Sequence, residues 1–131
     1  MIKRLGVLGG MGPAASAEFM VRLVAQTPAK TDQDHIPTIL WSDNTVPDRS
    51  TSMRNGDNKP LPYLLQGIQG LVSSGCNLIV IPCNTAHLWF KEMEKQASWH
   101  ANIVHIVDSV ADALRDVNVI DSKIGVMGTQ A

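Results

Sequence analysis

The chain has 131 residues, about the length of one domain; 44% of them are hydrophobic and 5% are aromatic. A formal net charge of −1 at pH 7 gives no reason to expect nucleic acid or an anionic membrane as a partner. The apolar stretch after Met1 is interrupted by Gly6, Gly9 and Gly10, which makes it far too short for a signal peptide. No apolar segment approaches the length that spans a membrane, and the two cysteines have no secretory context. We therefore expect a globular, cytoplasmic protein.

Apolar runs and stretches with helical periodicity alternate along the chain, which predicts a regular succession of strands and helices. The predicted strands, in chain order, are Lys3–Leu8, Pro37–Trp41, Leu78–Ile81 and Ile103–Val107. The predicted helices are Pro13–Gln26, Leu61–Ser74, a helix from Ala86 onward, and Ser109–Val117. Strands that alternate with helices favour an α/β fold, in which a parallel sheet has helices on both faces.

Local signals mark the ends of these elements. Gly9–Gly12 predicts a tight turn, and Pro13 fits the first position of a helix, where its missing N–H costs nothing. Gly75 is expected to end the helix before it, and Asp108 is expected to cap the last helix. The polar stretch Ser42–Pro60 shows no obvious structure of its own, and a loop of this length is a mild indication of function.

The end of the chain repeats its beginning. The glycine spacing of Lys123–Thr129 resembles that of Arg4–Gly10, with Gly125 in the place of Gly6. We interpret the repeat as the start of a second α/β half, so that residues 1–120 form a first lobe and residues 121–131 the first strand of a second, truncated lobe. The alternative is a chance similarity between two strands that are each flanked by glycines.

Cys83 lies where a buried strand is predicted to meet the amino end of a helix. Open parallel sheets bind their ligands at that edge, and the helix N-terminus there favours an anion such as a thiolate. A cysteine with only a packing role is more naturally found within the strand, so we favour a chemical role for Cys83. Cys76 lies at the opposite end of the same strand, too far away for a disulfide or a shared metal, and is interpreted as a packing residue.

Two further candidate groups flank this cysteine in the predicted sheet. The glycine turn after the first strand can bring backbone N–H groups to a carboxylate. Its glycine spacing is not that of a dinucleotide-binding motif. A tight turn that binds no ligand is equally consistent with the sequence. Arg49 follows the second strand and is able to clamp a carboxylate with two hydrogen bonds. The alternative is a surface arginine paired with Asp48 or Asp43.

The residues after Cys83 form the last candidate group. Asn84 and Thr85 offer hydrogen-bond donors for a substrate carboxylate, and Thr85 also suits the N-cap of the helix. His87, one helical turn beyond Cys83, is a candidate partner of the thiol, or an ordinary polar residue of the helix. The other three histidines show no metal-ligand spacing with either cysteine, so no metal is expected: His35, His100 and His105.

Three ordered motifs resemble the cofactor-independent aspartate/glutamate racemase family. They are Leu8-Gly9-Gly10-Met11-Gly12-Pro13, then Pro47-Asp48-Arg49, then Pro82-Cys83-Asn84-Thr85-Ala86-His87. The similarity spans essentially the whole chain. The first turn, which lacks the Asp-Ser pair of the glutamate racemases of cell-wall synthesis, resembles that of the aspartate racemase branch.

The resemblance implies a two-lobed, pseudosymmetric protein with one catalytic cysteine in each lobe, a substrate between the lobes, no cofactor and a homodimeric assembly. Cys83 matches the cysteine of the first lobe, and Arg49 matches the arginine that holds a substrate carboxylate. Met11, Asn84 and Thr85 match the substrate-binding turns. His87, together with Thr129 in the turn after the repeated strand, is a candidate auxiliary residue. The second cysteine of the family has no counterpart in this sequence, as a truncated second lobe would explain.

Racemisation of aspartate or glutamate accounts for this set of residues. One thiolate removes the α-proton from one face while a thiol opposite returns a proton to the other, and donors on the α-carboxylate stabilise the charge that develops. We expect the chain on its own to be inactive, because it supplies one thiol only. The alternatives are a related enzyme, such as a hydantoin racemase, maleate isomerase or decarboxylase, and a non-catalytic domain that binds a dicarboxylate.

Overall fold

The computed structural model describes residues 4–117 and 122–128. Strands and helices alternate, as the sequence predicts. The strands are β1 (Leu5–Gly9), β2 (Thr38–Ser42), β3 (Leu78–Val80) and β4 (Asn102–Ile103). The helices are α1 (Pro13–Gln26), α2 (Arg49–Asn55), α3 (Leu61–Ser73), α4 (Phe90–Ala97) and α5 (Ile106–Asp116), with 3-10 segments at Asp32–Asp34 and Thr85–Trp89.

The four strands form one parallel sheet in the order β2-β1-β3-β4. β1 is buried along its whole length, as expected for a strand with a neighbour on each side. Gly9, the last residue of β1, is in register with Ser42, the last residue of β2. Because all strands run in the same direction, the turns that follow them gather at one edge of the sheet, which is where Cys83 and the glycine turn lie.

Helices α3 and α4 cover one face of the sheet. Leu64, Ile68 and Leu71 of α3 and Met93 of α4 are fully buried there. The close approach of α3 to the sheet depends on its two glycines. A Cβ at Gly70 would lie 2.8 Å from Cη2 of Trp41, and a Cβ at Gly67 would also crowd that ring. The indole of Trp41 therefore packs directly on the helix backbone.

Helices α1 and α5 flank the opposite face, which confirms the predicted α/β fold with helices on both faces of a parallel sheet. They do not close over it. A groove of about 470 Å³ separates them, with Phe19 of α1 on one side, Ile106 of α5 on the other and Val80 at the base. Val107 and Val110 on α5 are each 55% exposed, so this helix buries little of its apolar side.

The largest difference from the sequence prediction is α2, which lies inside the stretch Ser42–Pro60 that was predicted to be a loop without structure. Asp48 caps this helix by accepting a hydrogen bond from the Thr51 N–H at 2.7 Å. Gly56, at a φ of 66°, ends it in the left-handed conformation. A short helix with strong caps and almost no apolar periodicity is easily mistaken for a loop.

The last strand and helix also differ from the prediction. β4 ends at Ile103 instead of Val107, and α5 begins at Ile106, three residues before the predicted Ser109. His105, not Asp108, caps α5, because its Nδ1 accepts the Val107 N–H at 3.2 Å. The β-branched run suggested a strand, whereas these side-chain acceptors stabilise a helix start.

Smaller differences concern the remaining segments. The helix predicted from Ala86 begins as the 3-10 segment Thr85–Trp89 and becomes α-helical at Phe90. The strand predicted at Lys123–Gly128 is not formed, since the described residues 122–128 are exposed and belong to no strand. The division into lobes at residues 120 and 121 stays a prediction. Within the described ranges, none of the helices is long and apolar enough to cross a membrane.

Candidate active site

Cys83 lies in the turn that follows β3, at the carboxyl edge of the sheet. Its backbone N–H donates to the Ile81 carbonyl at 2.7 Å, which folds the chain sharply after the strand. The residue is half-buried and its side chain packs against the main hydrophobic cluster. A thiol in this position is both held by the core and reachable from the sheet edge.

Cys76 differs in each of these respects. It lies before β3, at the amino edge, and is 2% exposed. Burial raises the pKa of its thiol, an effect that Arg4 only partly opposes. Neither cysteine is in a disulfide. The structure thus gives Cys76 the surroundings of a packing residue.

The glycine turn after β1 is held from below by a serine. Ser16 of α1 is 1% exposed, and its Oγ accepts the Gly10 N–H at 2.9 Å. Gly10 has a φ of 90° and lies so close to the backbone of Asp43 that no side chain would fit. The Asp43 N–H in turn donates to the Gly9 carbonyl at 3.3 Å. The turns after β1 and β2 are therefore one packed unit.

The side chain of Met11 in this turn is 5% exposed and belongs to the hydrophobic cluster, together with Val46 and Ala86. It thus anchors the glycine turn in the same hydrophobic cluster that holds residues of the segments following β2 and β3. Gly12, the N-cap of α1, has no side chain to cap the helix, and Pro13 follows it. The N-cap residue thus leaves the positive end of the α1 dipole without a side-chain cap of its own.

Arg49 is the first residue of α2 and is half-buried. Its Nη1 donates to the carbonyls of Val46 and Pro47, each at 3.2 Å. These described hydrogen bonds go to the backbone and not to Asp48 or Asp43, so the predicted surface ion pair is not what holds the guanidinium. The Nε of Arg49 is buried without a hydrogen-bond partner among the described residues. A buried, unsatisfied donor on a cation is costly unless an acceptor reaches it.

Asp48 holds the start of α2. Hydrogen bonds from the hydroxyl and the backbone N–H of Thr51 lower the pKa of its carboxyl group, so the carboxylate is kept charged at the helix N-terminus. The charge stabilises the helix that carries Arg49. No salt bridge joins Asp48 to Arg49 in the described part of the chain.

The 3-10 segment after Cys83 packs against α2, which brings the elements of Cys83 and Arg49 together. Asn84 is exposed and Thr85 is half-buried. The indole N–H of Trp89, at the end of the segment, donates to Asn58 Oδ1 at 2.8 Å and so ties it to the chain that follows α2. Two turns that are far apart in the sequence thereby form one wall.

His87 is buried, at 9% exposure, and both ring nitrogens face the backbone. Nδ1 lies 2.9 Å from the Cys83 carbonyl oxygen, and Nε2 lies 3.2 Å from the Ile106 N–H. Burial is the main cause that lowers the pKa of this imidazole. The ring is thus neutral and engaged on both sides, and it has no nitrogen left for the thiol.

The structure gathers the turns of Met11, Arg49, Cys83, Asn84 and Thr85 at the carboxyl edge. It places His87 behind that edge, and Thr129 lies outside the described residues. Sequence reasoning missed Ser16, for which the signal was a hydroxyl side chain on the side of α1 that faces the glycine turn. No group of three potential metal ligands occurs within residues 4–117 and 122–128.

A parallel sheet whose polar turns gather at the carboxyl ends of its strands is characteristic of the open α/β proteins, which bind ligands at that edge. The sequence model of the Asp/Glu/hydantoin racemase family matches residues 8–131. The chain belongs to this family.

The similar proteins fit that assignment. The chain is 25% identical over 130 residues to the broad specificity amino-acid racemase RacX of Bacillus subtilis (strain 168), covering 96% of this chain and 54% of the relative. It superposes on the Picrophilus torridus aspartate racemase with a TM-score of 0.77 at 34% identity, covering 88% of this chain and 48% of the other. An aspartate racemase homologue from Pyrococcus horikoshii shares the fold, with a TM-score of 0.74 at 20% identity and coverages of 88% and 50%. The chain spans about half the length of these relatives.

Proposed function

We propose that the chain forms one half of a racemase site for an acidic amino acid, aspartate or glutamate, and that Cys83 is one of its two proton-transferring thiols. The observation that carries the proposal is the placement of a half-buried cysteine at the carboxyl edge of the sheet, beside the helix of an arginine whose buried Nε has no described partner. The names of the relatives, an aspartate racemase and an amino-acid racemase, support the same reaction class.

The proposed chemistry uses the groups at this edge in turn. Cys83, as thiolate, removes the α-proton from one face of the substrate, and a second thiol on the opposite face returns a proton to the α-carbon. The α-C–H is a very weak acid, so hydrogen-bond donors must stabilise the charge that spreads onto the α-carboxylate. Asn84, Thr85 and the backbone N–H groups of the Met11 turn are the proposed donors, and Arg49 the proposed clamp for a carboxylate. The reaction requires no cofactor.

The second thiol is proposed to come from a second lobe. The chain covers only 54% and 48% of two relatives, so each relative has about as many further residues as a second lobe would need. Residues 121–131, with Thr129 as a candidate auxiliary residue, are proposed to begin that lobe. A cytoplasmic location, expected from the composition, and a homodimer, implied by the family resemblance, stay predictions. The 131-residue chain by itself is expected to exchange the α-proton slowly and to form no D-isomer.

A racemase of wider specificity is the second candidate, and similarity to a broad specificity amino-acid racemase favours it. The two candidates differ in how much they require a second carboxylate on the substrate. If Arg49 binds a side-chain carboxylate, neutral amino acids should be poor substrates; if it binds the α-carboxylate, neutral and acidic substrates should respond alike to its removal.

The test uses the full-length protein, meaning this chain together with the proposed second lobe. It is incubated with L-aspartate, L-glutamate and L-alanine in D₂O, and α-deuteration is followed by NMR and the D-isomer by chiral chromatography. Cys83→Ser should abolish D-isomer formation, while Cys76→Ser, the matched control at the other end of β3, should leave the rate within about threefold. Equal activity of Cys83→Ser and the wild type would overturn the proposal. The 131-residue chain, measured alongside with its oligomeric state, tests the two-thiol argument.

A further inference from the structure

His87 joins two segments that are 19 residues apart. Its ring lies between the Cys83 carbonyl at 2.9 Å and the Ile106 N–H at 3.2 Å, and it is 9% exposed. A carbonyl oxygen only accepts, so Nδ1 carries the proton and donates it to Cys83. A backbone N–H only donates, so Nε2 is unprotonated and accepts from Ile106. The two contacts together select one neutral tautomer.

A second imidazole completes the connection to α5. His105 Nδ1 accepts the Val107 N–H at 3.2 Å, and its ring centroid lies 4.9 Å from that of His87. The first two N–H groups of α5 are therefore each capped by a histidine ring, an arrangement that requires both acceptor nitrogens to be unprotonated. Phe90 stacks on His87, with 6.0 Å between ring centroids and 10° between planes, and holds the ring in place.

The bond to the Cys83 carbonyl acts on the site itself. The carbonyl of Cys83 and the N–H of Asn84 belong to one planar peptide unit, so a bond that fixes the carbonyl also fixes the direction of that N–H. This peptide directly follows the residue that bears the thiol. The orientation of the Cys83 thiol and the Asn84 N–H at the sheet edge thus depends on the His87 ring, which itself lies behind that edge.

We propose that His87 is a positioning residue: by tying the Cys83 carbonyl to the amino end of α5, it holds the Cys83 turn in the orientation that presents the thiol. The proposal deepens the proposed racemase function, because it concerns the same thiol. It assigns no proton transfer to His87. The connection should open on acidification, since a proton on Nε2 would face the Ile106 N–H.

Other titratable and charged groups lie around the His87 ring, and their contributions to any pH effect have to be distinguished from that of His87. His105, Lys91 and Glu92 line the same cleft as His87. Asp108 lies in the first turn of α5. His105 is the second imidazole of this cleft, and its ring centroid lies 4.9 Å from that of His87. His105→Gln therefore serves as the control for any pH effect assigned to His87.

Two variants of the full-length protein separate the two bonds of the ring. His87→Asn keeps a donor near the position of Nδ1 but does not reach Ile106, whereas His87→Gln extends to the position of Nε2 and loses the donor to Cys83. The readouts are the rate of Cys83 alkylation by iodoacetamide, amide exchange at Ile106 by NMR, and kcat and KM for aspartate.

In His87→Gln the alkylation rate should change, and kcat should fall, by about fivefold to tenfold, the factor that one buried hydrogen bond represents, with KM within about twofold. In His87→Asn both should stay within about twofold of the wild type, while amide exchange at Ile106 becomes faster. His87→Ala should show both defects. A merely structural histidine would instead give changes that follow the unfolding temperature of each variant.

The proposal is overturned if His87→Asn is impaired at Cys83 as much as His87→Gln, or if neither variant differs from the wild type. The Asn and Gln variants each keep one hydrogen bond, so the comparison holds even where His87→Ala does not fold. A wild-type protein without racemase activity would overturn the proposed function, and the alkylation rates would still decide the role of His87.

Discussion

The Oγ of Ser16 accepts the Gly10 N–H at 2.9 Å in a place where the serine is 1% exposed. A helix residue thus supplies the acceptor for a donor in the glycine turn that precedes its helix. The same Oγ lies 3.3 Å from the Gly12 carbonyl, to which it donates. One hydroxyl group therefore satisfies both ends of the turn, and its removal leaves a buried N–H unpaired.

Ser16→Ala should lower the free energy of unfolding by about 1–3 kcal/mol, the cost of an unsatisfied buried donor. Urea unfolding followed by circular dichroism measures the change. Ser73→Ala is the matched control, because Ser73 is also a helix serine but its bond to Gln69 is exposed; it should cost less than about 0.5 kcal/mol. Equal stabilities of the two variants would show that the Gly10 bond is unimportant.

The two cysteines should react with iodoacetamide at very different rates at neutral pH. Cys83 is half-buried at the sheet edge, whereas Cys76 is 2% exposed and burial raises the pKa of its thiol. We expect Cys83 to be alkylated first, with succinate slowing the reaction, and Cys76 to react only when the protein unfolds. Mass spectrometry of peptides from timed samples gives both rates. Preferential labelling of Cys76 in the folded protein would contradict the assignment of the two roles.

In the full-length protein, Arg49→Ala should reduce kcat/KM for aspartate and glutamate by about tenfold to a hundredfold. This is the range expected for lost charge-assisted hydrogen bonds. The fold should lose about 1 kcal/mol, since two bonds to backbone carbonyls disappear. Arg54→Ala is the control on the same helix, because Arg54 is exposed and bonds only Thr51 among the contacts described. Turnover within about threefold of the wild type in Arg49→Ala would remove the clamp from the mechanism.

Stability should fall as the pH drops below about 6.5, the ordinary pKa of a histidine, because of His87. Burial lowers the pKa of the folded imidazole, so the unfolded chain binds a proton that the folded chain does not. The stabilising contribution is complete above the ordinary pKa and is lost as the pH falls towards the lowered one. Urea titrations between pH 7.5 and pH 5 measure the slope.

In His87→Gln that slope should be smaller, and His100→Gln, at an exposed position, serves as the matched control for loss of a histidine. The carboxyl groups of Asp34, Asp48 and Asp57, whose pKa values hydrogen bonds lower from 3.8, contribute only in more acidic solution. An identical slope in His87→Gln and the wild type would mean that the imidazole is not held neutral by its surroundings.

Local sequence signals predicted the parts of the fold in which apolar periodicity is strong. α1 and the buried helix α3 were predicted to within about one residue at each end. The turn that carries Cys83 follows from an apolar run that ends at Pro82, and the structure confirms its place at the carboxyl edge of a parallel sheet. These elements are specified by residues that are close together in the chain.

The parts that the sequence did not predict depend on contacts between distant residues or on short caps. α2 contains Met53 as its single apolar residue, so only its caps mark it as a helix. The apolar run Ile103–Val107 continues the strand pattern, but the N–H of Ile106 is met by the ring of His87 and the chain turns into a helix. The role of His87 itself follows from a neighbour 19 residues away, which no local pattern reveals.

The three tryptophans differ so much in exposure that fluorescence can distinguish them. Trp89 is 5% exposed and bonded to Asn58, Trp41 packs on α3, and Trp99 is 94% exposed. Iodide should quench Trp99 selectively, and Trp99→Phe should remove the red-shifted part of the emission. What remains then includes an indole at the end of the segment that begins beside Cys83. A ligand that moves this segment would change the emission without any added label.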